Sequence, residues 1–245
     1  MATVMILPKP TKNYPSLILM LFASVLLGAC SRVGTTEEVI QVAFANASPS
    51  VPPVDIYVNG AIKEPGFAYG AQSGGSVNPY FTLIKLPEDV WTLDVKPAGS
   101  SQKLISIAPN FVAENRYTVV VYDTVPSQKV LVLQDDNSTP ASNTARLRFV
   151  NLVPNIGQAL SLTLNDSAIT SSIAFATASA YIDVPAGSYI LNAKTTTGLQ
   201  MRTNTAGGMP IALRTKRTYT LLGRGLAGVP ETDPRVFTIT PITNN

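Results

Sequence analysis

Histidine is absent from this chain of 245 residues, and cysteine occurs once, at Cys30. The first absence removes Ser-His-Asp and Cys-His nucleophile chemistry, histidine zinc sites and histidine pH switching. The second removes disulfides and, Cys30 aside, thiolate ligands and cysteine nucleophiles. Charge is sparse at 13% of residues, with 18 Lys and Arg against 15 Asp and Glu. Two of those cations, Lys9 and Lys12, lie in the leader described below, so the remainder is close to neutral and gives no electrostatic basis for a nucleic-acid partner. No run reaches the ~20 apolar residues of a membrane span, and no segment beyond Cys30 holds a 3.6-residue period. No cofactor or metal motif is present, and no catalytic residue is expected. What remains is 45% apolar, enough to form cores held by burial and strand pairing alone.

The start of the chain is basic (Lys9, Lys12), then apolar from Leu17 to Leu27, and closes on Leu27-Gly28-Ala29-Cys30. The pattern resembles a bacterial lipoprotein signal with its lipobox. The resemblance implies removal of residues 1–29, a diacylglycerol on the Cys30 thiol and an acylated amino group, hence a membrane partner through lipid. Residues 30–38 become a polar tether. Ser31 lacks the aspartate that retains some such proteins in the inner membrane, which points to the outer membrane.

Beyond the tether the chain reads as short period-two runs with turn formers between them. Val54, Ile56 and Val58 alternate with Asp55, Tyr57 and Asn59, and Asn59-Gly60 follows as a turn. Trp91, Leu93 and Val95 repeat the pattern. The chain then repeats itself. Val42, Phe44 and Asn46 match Leu147, Phe149 and Asn151 at an offset of 105. Residues 54–59 match 160–165 at 106, Trp91 and Leu93 match Tyr189 and Leu191 at 98, and Tyr117 matches Tyr219 at 102. Val130 and Leu133 match Val236 and Ile239 at 106. This predicts an all-β fold of two tandem sandwiches, over residues 39–134 and 145–245, joined by a solvated linker at 135–144. Unless their contact is large and apolar, the two should move relative to each other.

The first copy carries the run Asn46-Ala47-Ser48-Pro49-Ser50-Val51-Pro52-Pro53-Val54-Asp55-Ile56-Tyr57-Val58-Asn59-Gly60. With Val95-Lys96-Pro97-Ala98-Gly99-Ser100 and Arg116-Tyr117-Thr118-Val119-Val120-Val121, it resembles the domain of unknown function 4397, found in secreted and envelope-anchored bacterial proteins. The resemblance covers about Val39 to Leu133. It implies an immunoglobulin- or transthyretin-like sandwich and no catalytic residues.

Several positions stand out. Asp55 is expected to accept backbone N–H bonds from the Asn46–Ser48 turn, as Asx side chains do. Asp135 to Thr139 has oxygen ligands but not calcium-loop spacing, and reads as linker. Between Gly66 and Phe81 the repeat offset falls from 106 to 98, so the first copy has 8 extra residues there. Phe67, Tyr69, Tyr80 and Phe81 flank this insertion as a candidate binding loop for an envelope glycan or protein. Arg214, Lys216 and Arg217 form the densest basic cluster and read as strand-edge charges that discourage aggregation. Tyr117 and Tyr219 are candidates for hydroxyls that pin a loop, and Trp91 and Tyr189 for core aromatics. The function expected is a lipid-anchored, non-enzymatic binding, adhesion or spacer module. The alternatives are a subunit of a surface assembly built by strand-edge pairing and, behind it, a carboxylate-based hydrolase.

Overall fold

Period-two runs bounded by Gly, Pro and Asn cannot close a helical stripe, and they fold as strands. The structure is a computed structural model that describes residues 38–50, 52–74, 79–85, 90–201, 203 and 207–245. The leader, Cys30 and nearly all of the tether lie outside the described residues, as do residues 75–78 of the candidate loop. The described residues contain no helix.

The first copy comprises β1 (Glu38–Asn46), β2 (Val54–Val58), β3 (Ala61–Phe67), β4 (Phe81–Lys85), β5 (Leu93–Pro97), β6 (Ile105–Ile107), β7 (Arg116–Tyr122) and β8 (Lys129–Gln134). They form two four-stranded sheets, β4-β1-β7-β8 and β3-β2-β5-β6. The second copy comprises β9 (Thr144–Leu152), β10 (Leu160–Leu164), β11 (Ser167–Ala168), β12 (Thr177–Ala178), β13 (Ile182–Pro185), β14 (Gly187–Thr195), β15 (Met209–Leu213), β16 (Thr218–Arg224) and β17 (Thr238–Thr243). Its sheets are β12-β9-β16-β17, with β13 also on β9, and β11-β10-β14-β15.

The register repeats between copies. Val42 lies opposite Tyr117 and Phe44 opposite Val119 in a parallel pair; Leu147 lies opposite Tyr219 and Phe149 opposite Leu221 in another. Ile56 faces Val95, and Leu162 faces Ala193. One match needs correction. Val130 and Leu133 take the places of Ile239 and Ile242, not of Val236 and Ile239, because Val121 pairs Val130 while its counterpart Gly223 pairs Ile239. The β16–β17 connection is longer than the sequence match assumed. The eight-residue insertion is also split. Ser73 and Ser179 both accept the N–H of the equivalent Phe44 and Phe149, whereas Phe81 and Ile182 both lie opposite the equivalent Val42 and Leu147. The extra residues therefore fall on both sides of β4.

Each sandwich closes on its own interior. Ile40, Val42, Phe44, Ile56, Leu93, Val95 and Val119 are among the residues filling the first, with Trp91 edge-on to Phe111 at 5.7 Å. Leu147, Phe149, Leu160, Leu162, Leu191, Leu221 and Phe237 are among those filling the second. A third apolar layer lies between the copies. The opposite faces of β1 and β7 send out Ala45, Val120 and Tyr122, which pack with Val150 and Leu152 of β9, Leu222 of β16 and Ile242 of β17. The central strands are thus buried on both faces, which explains runs such as Val119-Val120-Val121 that lack a polar outer face. The large apolar contact whose absence would have freed the sandwiches to move is present, and Glu37–Asn245 form one compact unit.

Candidate functional site

Asp135 comes directly after β8 and is 4% exposed, so it is no part of a solvated linker. Its carboxylate pairs with the Arg148 guanidinium of β9 and accepts Tyr80 Oη at 2.6 Å and Thr118 Oγ1 at 2.8 Å. Arg148 donates onward to the Gln134 carbonyl at 2.7 Å and to Thr220 Oγ1 at 3.0 Å, and its plane lies 4.8 Å from the Tyr181 ring centroid. Thr220 donates to Asn244 Oδ1, and Asn244 Nδ2 donates to Tyr80 Oη at 2.8 Å. Burial pushes the Asp135 carboxyl up while Arg148 draws it back, and burial likewise pushes the Tyr80 and Tyr181 hydroxyls up. Every charged atom here has a partner, which is what makes a buried ion pair tolerable. The cluster joins the two copies beside the third apolar layer. The next carboxylate, Asp136, is held by Arg146, which also grips Asp183. Among the described residues there is no group of three acidic, His or Cys side chains placed to hold a metal ion.

Two aromatics of the candidate binding loop, Tyr69 and Tyr80, take part in the same join. Phe67 is buried in the first core, and Phe81 packs against Phe44 at 6.0 Å. Tyr69 lies 4.6 Å beneath the Arg224 guanidinium of β16. Tyr80 makes the contacts just described and sits under Arg116. Phe67 and Phe81 thus meet the first core, and Tyr69 and Tyr80 meet the second copy, because each ring has an apolar or cationic surface within reach.

Asp55 is structural, but with other partners than expected. Its Oδ1 accepts the Gly66 N–H at 2.7 Å and its Oδ2 the Gly99 N–H at 2.9 Å. The Asn46–Ser48 turn satisfies itself: Asn46 Oδ1 accepts the Ser48 N–H, Asn46 Nδ2 reaches the Phe67 carbonyl, and Ser48 Oγ donates to the Asp123 carbonyl. The Gly66 and Gly99 amides hold the Asp55 carboxyl below its ordinary 3.8. A depressed carboxyl contributes stability above its unfolded value and loses it as pH falls through the folded one. Asp55→Asn places an amide N–H against an N–H donor and is expected to cost about 1–3 kcal/mol at neutral pH. The gap to wild type should narrow from about pH 4 downward, as measured by urea unfolding across that range.

Arg214, Lys216 and Arg217 do not alternate along an edge strand. They form the turn from β15 to β16, pinned by Tyr219 Oη, which accepts the Arg214 N–H at 3.0 Å. Tyr117 Oη does the same for the Val112 N–H at 2.8 Å. An open groove of ≈330 Å³ lies beside the turn, lined by Ile211, Ala212, Arg214, Arg217, Tyr219, Pro241 and Thr243. A second groove of the same size shares Ile211 and Ala212 and adds Asn165, Ser188, Tyr189, Ile190 and Pro210. Tyr189 is half-buried over the core rather than within it. Neither groove has a carboxylate in its lining, and both sizes fall within the range of small-ligand sites.

Residues 40–161 match the model of a family described as Domain of unknown function (DUF4397). The match runs past the first sandwich and through β9, taking in Asp135 and Arg148. No curated protein matches the chain. Among solved structures, a crystal structure of CBMbc (family CBM26) from Eubacterium rectale Amy13K in complex with maltoheptaose aligns at 12% identity, covering 84% of this chain and 97% of that one, with a TM-score of 0.27.

Proposed function

The chain carries a DUF4397 domain, and on that premise we propose that it is a lipid-anchored, non-catalytic binding module of a bacterial envelope, most simply the outer membrane. The observation that carries this reading is the join. Two sandwiches locked by an apolar layer and a satisfied ion pair act as one stiff body, suited to holding a contact surface at a fixed reach from a tethered end. Its grooves present cations, hydroxyls and apolar side chains without a carboxylate pair, which favours holding a ligand over hydrolysing one. The strand-pairing alternative finds three of the edge strands interrupted: Pro65, Pro210 and Pro241 stand in β3, β15 and β17. The proline-free edges β4, β6 and β8 are where it would act.

The anchor is tested on cells fed an alkyne-labelled palmitate. The wild-type chain is expected to take up label and fractionate with the membrane, and Cys30→Ser to take up none. An unlabelled wild-type chain removes the lipid anchor from the proposal.

A further inference from the structure

We propose that the β15–β16 turn and its grooves bind an acidic saccharide, a sugar ring bearing a carboxylate, with Arg214 and Arg217 taking the charge. This deepens the binding reading above and rests on it.

The molecule contains its own control. In the first copy the turn before β7 is Val112-Ala113-Glu114-Asn115; in the second it is Arg214-Thr215-Lys216-Arg217. The backbone is the same. Glu114 and Lys216 take φ of 64° and 61°. The Glu114 N–H donates to the Val39 carbonyl and the Lys216 N–H to the Thr144 carbonyl, each at 2.7 Å. The Asn115 and Arg217 N–H groups donate to the carbonyls of Val112 and Arg214, each at 3.3 Å, and a tyrosine hydroxyl pins each turn. The fold therefore makes this turn without any cation. Among the described residues the three positive charges of the second copy serve no bond that the first copy lacks, and all three side chains are exposed. Among the described residues neither guanidinium has an acidic partner.

The surroundings select the rest of the ligand. Ile211, Ala212 and Pro241 give the arginine groove an apolar floor, so the anion arrives on something with C–H surface. The adjoining groove offers the Tyr189 ring with Asn165 and Ser188. A pyranose uronate supplies a C–H face for the tyrosine and proline, hydroxyls for the amide and serine, and a carboxylate for the guanidinium forks. Two contiguous grooves suit a short stretch of polymer. A bilayer surface would need a flat or convex basic patch instead.

The test uses the full chain in detergent, with affinity electrophoresis through polygalacturonate, neutral pullulan and dextran sulfate, and flotation with phosphatidylglycerol vesicles. Polygalacturonate should retard the chain and pullulan should not. The triple variant R214V/K216E/R217N copies the first turn and leaves Thr215 in place. It should unfold at the wild-type temperature and bind polygalacturonate about tenfold or more weakly. Tyr189→Ala should weaken polygalacturonate binding and leave dextran sulfate binding unchanged. Undiminished binding by the triple variant overturns the proposal, as does binding to vesicles without binding to polygalacturonate. Equal response of both anionic polymers to Tyr189→Ala reduces the site to bare charge and overturns the saccharide. None of these outcomes touches the palmitate result, so the anchored-module reading stands or falls separately.

Discussion

Arg148→Ala is expected to cost about 3–5 kcal/mol of stability, the ordinary penalty for stranding one member of a buried ion pair. The loss follows from what Arg148 leaves behind. Asp135 stays buried with the Tyr80 and Thr118 hydroxyls but no countercharge, and the Gln134 carbonyl loses its guanidinium donor. The double variant Asp135→Leu with Arg148→Met removes both charges and should recover most of the loss, because matched apolar groups avoid the desolvation that the pair must offset. Urea titrations of the wild type, the single variant and the double variant give the three values. A single variant within ~0.5 kcal/mol of wild type would mean that the pair is solvated rather than buried.

The second large effect lies inside the second sandwich. Phe149→Ala is expected to cost about 3–5 kcal/mol, since the ring is fully buried and its removal leaves a cavity in the second core. The ring lies over Gly223, where an added Cβ would come within 2.7 Å of Phe149 Cζ and 2.8 Å of Cε2. The first copy solves the same packing differently: its Val121 stands where Gly223 does, and Phe44 turns toward Phe81. Gly223→Val is therefore expected to overpack the second core by about 1–3 kcal/mol. Combined with Phe149→Ala it should cost clearly less than the two losses added, because each change relieves the other. Additive losses in that cycle would show that the two residues do not share the space.

The strands and their repeat were legible because they rest on local signals. Period two, Asn-Gly at the end of β2 and the pair of late tyrosines each fix a register without reference to distant residues. The closure of the two copies into one body was not read, although one sign of it was present. Val119-Val120-Val121 and Leu221-Leu222 have no polar outer face, and a strand of that kind is covered on both sides. Arg148, set between Leu147 and Phe149, was the matching polar sign. Asp135 carries no local sign of burial, because Asp-Asp-Asn-Ser-Thr-Pro has the composition of a linker. Its burial depends on Tyr80, Arg148 and Asn244, which no local window brings together. The surroundings of the candidate loop are illegible for the same reason: Phe67 and Phe81 pack on the first core, while Tyr69 and Tyr80 reach Arg224 and Asn244 of the second copy. The grooves are illegible in the sequence because β15 and β17 are far apart in the chain and meet only as neighbouring edges, whereas the basic cluster beside them is a local signal.

The two repeats form a single body, and the first of them holds a built-in probe. Trp91 is the chain's only tryptophan and lies in the first core, so its fluorescence follows the first sandwich alone, while far-ultraviolet circular dichroism follows the strands of both. Recorded together through a urea titration of the wild-type chain, the two signals are expected to change in one coincident transition. Two separated transitions, with tryptophan reporting only one of them, would contradict the account.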